Sequence, residues 1–236
     1  MRMILDVTRR LPERPHYTQE ELDEISEYAV TSYLTEKHGN ALFPICTDDL
    51  ASLIEVHAED LDLYADLSQL GSDVEGVTLF NPDGKPSIRI AARLSEAKRE
   101  NRLRTTLAHE LGHALLHNIL FERCTGPGLF DDEEVQTDRV QACREGNMLN
   151  AGQSDWMEWQ AGYVSGAILM PATQVRLVIA HRFPNYIRGG LAACGDLFEA
   201  MVGEVQSAFQ VSSEAARIRL LKLQVVRDAG LTSTLF

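Results

Sequence analysis

Apolar residues recur at helical spacing at Leu107, Leu111, Ala114 and Leu115 with no proline between them, which predicts a helix over residues 105–117. A second apolar run, from Trp156 to Leu169, predicts another helix. Its small residues Ala161, Ser165 and Gly166 would let a neighbouring helix approach closely. Met170-Pro171 marks its end, because proline disfavours helix in the residue before it. Polar punctuation opens the rest. Thr18-Gln19-Glu20-Glu21 reads as a capping box for a helix to about Lys37, stopped by Gly39-Asn40. Thr47-Asp48-Asp49-Leu50 begins one to about Ala58. Residues 174–182 and 194–209 read as helices, and Ser212 or Ser213 caps a last one to about Asp228.

Strand signals are fewer. Val77-Thr78-Leu79-Phe80 and Ser87-Ile88-Arg89-Ile90-Ala91, joined across Asn81-Pro82-Asp83-Gly84, read as a β-hairpin with a tight turn. Residues 1–17 read as a loose lead-in, and the charged stretch 95–104 as a solvated helix start. The sum is an α+β fold, mostly helical, with a small hairpin or sheet beside the 105–117 helix. Three contiguous parts are expected: an N-terminal helical segment over 1–66, a core over 67–175, and a C-terminal helical segment over 176–236. The core carries a polar, acidic insert at 122–155, which reads equally as a lid, a partner-docking loop or a surface excursion.

Composition narrows the function classes. The 236 residues are 44% hydrophobic and 24% charged, ordinary for a globular chain with a full core. A net charge of -13 argues against DNA or an anionic membrane as the main partner. Residues 209–223 have a superficial helix-turn-helix look, with Arg217, Arg219 and Lys222 on the second helix. Ile218, Leu220, Leu221 and Leu223 crowd the same turns, so DNA binding is not favoured. No signal-peptide core or membrane-length apolar stretch stands out, and a soluble cytoplasmic protein is expected. The cysteines, Cys46, Cys124, Cys143 and Cys194, lack metal-ligand spacing and read as reduced. Only Cys124 and Cys143, which share the insert, are candidates to pair or to hold a second metal.

The chemistry lies in the first helix. His109-Glu110-Leu111-Gly112-His113 puts two imidazoles one turn apart and about 40° apart around the axis, within reach of one metal ion. Glu110 flanks that face and can serve as a base without being a ligand. In an apolar helix such polar groups need a partner, and a metal supplies one. The plainer reading, ordinary histidines on an amphipathic helix, is the less favoured. A catalytic zinc keeps three protein ligands and one open position, so a third is needed. Glu158 is the best candidate, although a glutamate opening a helix can also be there only for the helix dipole. His117 continues the histidine face and reads as a neighbour rather than a ligand. The chain lacks the third-histidine continuation of the metzincins.

Two segments, Leu107 to His117 and Glu158 to Pro171, resemble in order the motifs of the ImmA/IrrE-type metallopeptidases. Weaker likenesses are Pro44-Ile45 with Leu50-Ala51, the hairpin, and Gln210-Val211-Ser212. The resemblance implies a zincin-like, gluzincin-type core with one zinc per chain on His109, His113 and Glu158, and Glu110 as catalytic base. It further implies a protein substrate, a DNA-binding helix-turn-helix repressor whose cleavage releases mobile-element or stress genes. Two departures stand out: Gly162 where the family has Asn or Asp, and the long separation of His113 from Glu158. They keep a second class open, a non-catalytic metal-containing protein that sequesters a regulatory partner. Tyr163 or His181 could supply a further donor to the transition state. Ser87 to Ala92, with Ile88 and Ile90, could align an extended substrate as an edge strand, or serve only as core. The oligomeric state is not legible.

Overall fold

Four strands form a mixed sheet: β3 (Asp60–Ala65), β4 (Val74–Leu79), β5 (Ser87–Ala91) and β6 (Val140–Arg144). Their order is β3-β5-β4-β6, with β3 parallel to β5 and β4 antiparallel to both β5 and β6. The structure is a computed structural model describing residues 1–8, 11–122, 140–144, 155–184 and 195–225. The fold is α+β, as the pattern predicts. The hairpin pairs β4 with β5 from Leu79↔Ser87 to Gly76↔Ile90. Its connection is longer than a tight turn, with the Asn81 side chain accepting from the Asp83 backbone at 3.1 Å.

Residues 1–17 are not a loose lead-in. They hold a two-stranded antiparallel ribbon, β1 (Arg2–Leu5) with β2 (Glu13–His16), in which Met3 lies opposite Pro15. Proline is tolerated there because a two-stranded ribbon has only edges.

The chain divides into two compact units, each discontinuous in sequence: Met1–Tyr17 with Cys46–Ser165, and Thr18–Ile45 with Gly166–Phe236. This division differs from three contiguous segments. The first long helix, α1 (Gln19–His38), falls in the second unit, where its Asp23 pairs with Arg219. Its predicted capping box is present, with Thr18 and Glu21 bonded reciprocally, and Gly39 closes it at φ 79°.

In the first unit, α2 (Thr47–His57) and α3 (Glu100–Leu116) accompany the sheet, followed by the short α4 (Asn118–Glu122). α3 lies against β4, β5 and β6. Its start is less solvated than its charge suggests: Arg104 is buried, and Arg102 pairs with the buried Glu75. Phe80 stacks on Phe121 at 4.3 Å, in a cluster with Leu120, Trp156 and Met157. The next helix, α5 (Trp156–Leu169), runs across the division between the units.

The second unit contains α1, α6 (Ala172–Arg182), α7 (Asp196–Phe209) and α8 (Ser213–Lys222). It buries Leu22, Val30, Leu34, Phe198, Met201 and Phe209. Ser212 caps α8, accepting from the Ala215 backbone at 3.1 Å. The basic residues of α8 are engaged within the fold: Arg217 makes a two-pronged bond to Glu199 at 2.9 and 2.7 Å, and Arg219 is buried. Among the described residues, no single helix is long and apolar enough to cross a membrane.

Candidate metal centre

α3 carries the centre because its apolar positions press it onto the sheet. Leu107, Ala108 and Leu111 are fully buried, and they take His109, Glu110 and His113 to zero exposure with them. The second helix comes close because the contact is made of small residues. A side chain at Gly112 would meet the Ala161 backbone of α5 at 3.1 Å, and Ser165 donates to the Thr105 carbonyl at 3.0 Å. The small face expected on α5 is thus the one that packs against α3.

That crossing delivers Glu158. Its Oε1 lies 3.1 Å from His113 Nε2, its Oε2 lies 3.2 Å from His109 Nε2, and the two Nε2 atoms are 3.2 Å apart. Atoms sharing one tetrahedral zinc ion lie about 3.3 Å apart, so the three side chains fit a single metal without rearrangement. Two neutral nitrogens and a carboxylate are the donor chemistry of zinc. Burial would raise the Glu158 carboxyl, but the two imidazoles outweigh it and hold the group far below the usual carboxylate range.

Glu110 sits against the sheet. Thr78 Oγ1 donates to its Oε2 at 2.6 Å, while Oε1 is buried with no hydrogen-bond partner among the described residues. Gly76 makes this placement feasible, because a Cβ there would collide with the Glu110 carboxylate. Burial pushes the Glu110 carboxyl up to about 7, against the pull of His109 and the Thr78 hydroxyl.

The register explains what else faces the site. Gly76 and Thr78 lie opposite Ile90 and Ile88 on one side and opposite Cys143 and Gln141 on the other. Directly opposed residues share a sheet face. The β6 pair brings polar chemistry: Gln141 Nε2 donates to Glu158 Oε1 at 2.6 Å, and the Cys143 ligand atom lies within 4.8 Å of those of His109 and Glu110. Burial raises the Cys143 thiol well above its ordinary value, and both Cys143 and Cys46 are free. Cys124, Cys194 and the remainder of the insert lie outside the described residues.

The β5 expectation needs correcting. β5 is interior, bonded to β3 on one side and β4 on the other, and Ile88 and Ile90 are fully buried. Its main chain is already paired, so it offers no free edge to a substrate. Tyr163 is buried and sits five positions past Glu158, about 140° around the helix from it. His181 is exposed on α6, in the second unit. Neither joins the donor cluster.

His117 is a neighbour with its own partners. Its Nδ1 lies 2.9 Å from His113 Nδ1, and its Nε2 lies 2.9 Å from Gln160 Oε1. Gln160, Gln141, Thr78 and Gly76 were not legible as site residues. Only His117, one turn beyond His113, announced itself in the spacing. His109 Nδ1 has no hydrogen-bond partner among the described residues, and Gly162, one turn on from Glu158, has no side chain to supply one.

Two histidines one turn apart, a carboxylate closing on both, and a second carboxylate with one open oxygen define the class: a metal-dependent hydrolase site. Residues 58–221 match the model of the peptidase family described as IrrE N-terminal-like domain. With well over half of the chain matched, the protein belongs to that metallopeptidase family, in line with the resemblance of its two motifs. A search of curated proteins found no match to the chain.

Proposed function

We propose that the protein is a zinc-dependent endopeptidase with a zincin-like core, holding one zinc on His109, His113 and Glu158, and that its substrate is a helix-turn-helix repressor. The observation that carries the catalytic reading is the pairing of three converging donors with a buried Glu110 oxygen that has no hydrogen-bond partner among the described residues. A bound zinc supplies Lewis acidity to the scissile carbonyl and acidity to the attacking water.

The chain's own residues do the rest. The Thr78 hydroxyl holds one oxygen of Glu110 and leaves the other to take a proton from the water as it attacks. Glu110 then returns that proton to the leaving nitrogen. Burial, which raises the Glu110 carboxyl, makes it a stronger base than an exposed carboxylate, and its free oxygen is what the proton transfer needs. The repressor as substrate, and the release of mobile-element or stress genes, rest on the family likeness alone.

A second reading keeps the metal but not the chemistry: the protein sequesters its regulatory partner. Full burial of His109, Glu110 and His113 favours it, because a substrate carbonyl must reach them. Co-expression with the cognate repressor separates the two. A cut product with wild type and none with Glu110→Gln supports the peptidase. An intact repressor that is nonetheless inactivated by both proteins supports sequestration.

A further inference from the structure

Four groups in series run from the centre to the N-terminal ribbon. His113 Nδ1 meets His117 Nδ1, His117 Nε2 meets Gln160 Oε1, and Gln160 Nε2 meets the Pro15 carbonyl, each at 2.9 Å. His113, His117 and Gln160 are all buried, so the protons between them are settled by these partners.

Working inward from the ribbon, with both imidazoles neutral as metal ligation requires, gives one assignment. The Pro15 carbonyl can only accept, so the Gln160 nitrogen faces it and the Gln160 oxygen faces His117. That oxygen also can only accept, so His117 carries its proton on Nε2. A neutral His117 then has a bare Nδ1, and His113 donates to it from its own Nδ1–H. The Nε2 lone pair of His113 is left facing Glu158 and His109, an arrangement a metal ion among the three would satisfy. The opposite series sets the Gln160 oxygen against an unprotonated His117 nitrogen in a buried contact, and caps His113 Nε2 with a proton that blocks a metal.

We infer that His117, Gln160 and the Pro15 carbonyl of the ribbon are positioning groups of the metal centre, setting the His113 tautomer so that Nε2 is open to the metal. The residues 1–17 ribbon is thereby part of the site rather than an appendage. This rests on the metal reading of His109, His113 and Glu158. Partners of this kind beyond the ligands change metal affinity by about 10- to 100-fold when removed.

The test uses the full-length protein, zinc-loaded and zinc-free, with nitrogen-15 NMR to read imidazole tautomers and chelator competition to read zinc affinity. The expected result is a proton on His117 Nε2 and on His113 Nδ1. Gln160→Leu should weaken zinc binding by about 10- to 100-fold and release the His117 tautomer. Gln160→Glu, which still accepts from His117 but no longer donates to Pro15, should restore affinity while loosening the ribbon in amide exchange. His117 protonated on Nδ1, or a folded Gln160→Leu with wild-type affinity, would overturn the inference. If wild type binds no zinc, the metal reading falls, and the His117 tautomer of the zinc-free protein still decides whether the series from the ribbon runs as assigned.

Discussion

In the helical unit, the buried guanidinium of Arg219 meets the Asp23 carboxylate at 2.7 Å and the Met170 carbonyl at 2.9 Å. In the sheet-bearing unit, His109, Glu110, His113 and Glu158 are buried together, with one Glu110 oxygen and one His109 nitrogen lacking any hydrogen-bond partner among the described residues. Both arrangements take charged or polar groups out of water, at considerable cost. The first sets a positive charge against a negative one and closes. The second gathers two imidazoles and a carboxylate whose ligand atoms converge, a donor set that suits a metal cation. The difference is that only the second brings metal-ligand atoms of three side chains to one point, and it separates a structural ion pair from a candidate chemical site.

The widest gap between the two is expected in activity. Glu110→Gln should lower cleavage by about 100- to 10,000-fold with zinc content unchanged by elemental analysis. Zinc lost along with activity would make Glu110 a ligand instead. Next comes Arg219→Met, which removes the buried cation facing Asp23 and should cost about 3 to 5 kcal/mol in urea unfolding. Zinc bound per folded molecule should not change, and a parallel loss of zinc would erase the contrast between the units. Gly76→Ala forces Glu110 off β4 and should cost about 1 to 3 kcal/mol, with activity falling further than stability explains. Full activity in that variant would show that Glu110 need not lie where it does.

The smallest effect concerns Lys222, which burial, with Arg219 adding to it, drives down to about 8. Below that value the lysine is charged folded and unfolded, and the burial penalty stands in full. From about 8 up to its ordinary 10.5, the folded form sheds its proton first, so the chain gains stability as pH rises. Lys222→Met should therefore stabilise at pH 7 by roughly 1 kcal/mol, with the advantage fading toward pH 10.5 in thermal melts. An advantage constant with pH would assign the gain to packing.

Much of the centre was legible because its residues obey local spacing. His109, Glu110, His113 and His117 follow the helical repeat, and the α1 capping box and the β4–β5 pairing follow short-range rules. The partners of those residues do not. Gln141 and Cys143 sit on a strand of five residues inside an acidic insert, and only pairing with β4 gives them a direction. Pro15 enters through a carbonyl, which has no side-chain signature. Of the two readings open for β5, edge or core, the core one holds; strand order is set by long-range pairing, and β3, with acids at Asp60 and Asp62, gave little warning that it would cover β5.

The distance along the chain between His113 and Glu158 has a consequence for biosynthesis. The two histidines leave the ribosome 45 residues ahead of the carboxylate that completes their set. At about 5 to 20 residues per second, that is a delay of about 2 to 9 s. During it the nascent chain has two of the three proposed ligands on a helix whose packing partner does not yet exist. On the proposed ligand set, firm metal capture waits until α5 is made, and a peptidase that matures so late could not cut while most of its own chain is still being translated.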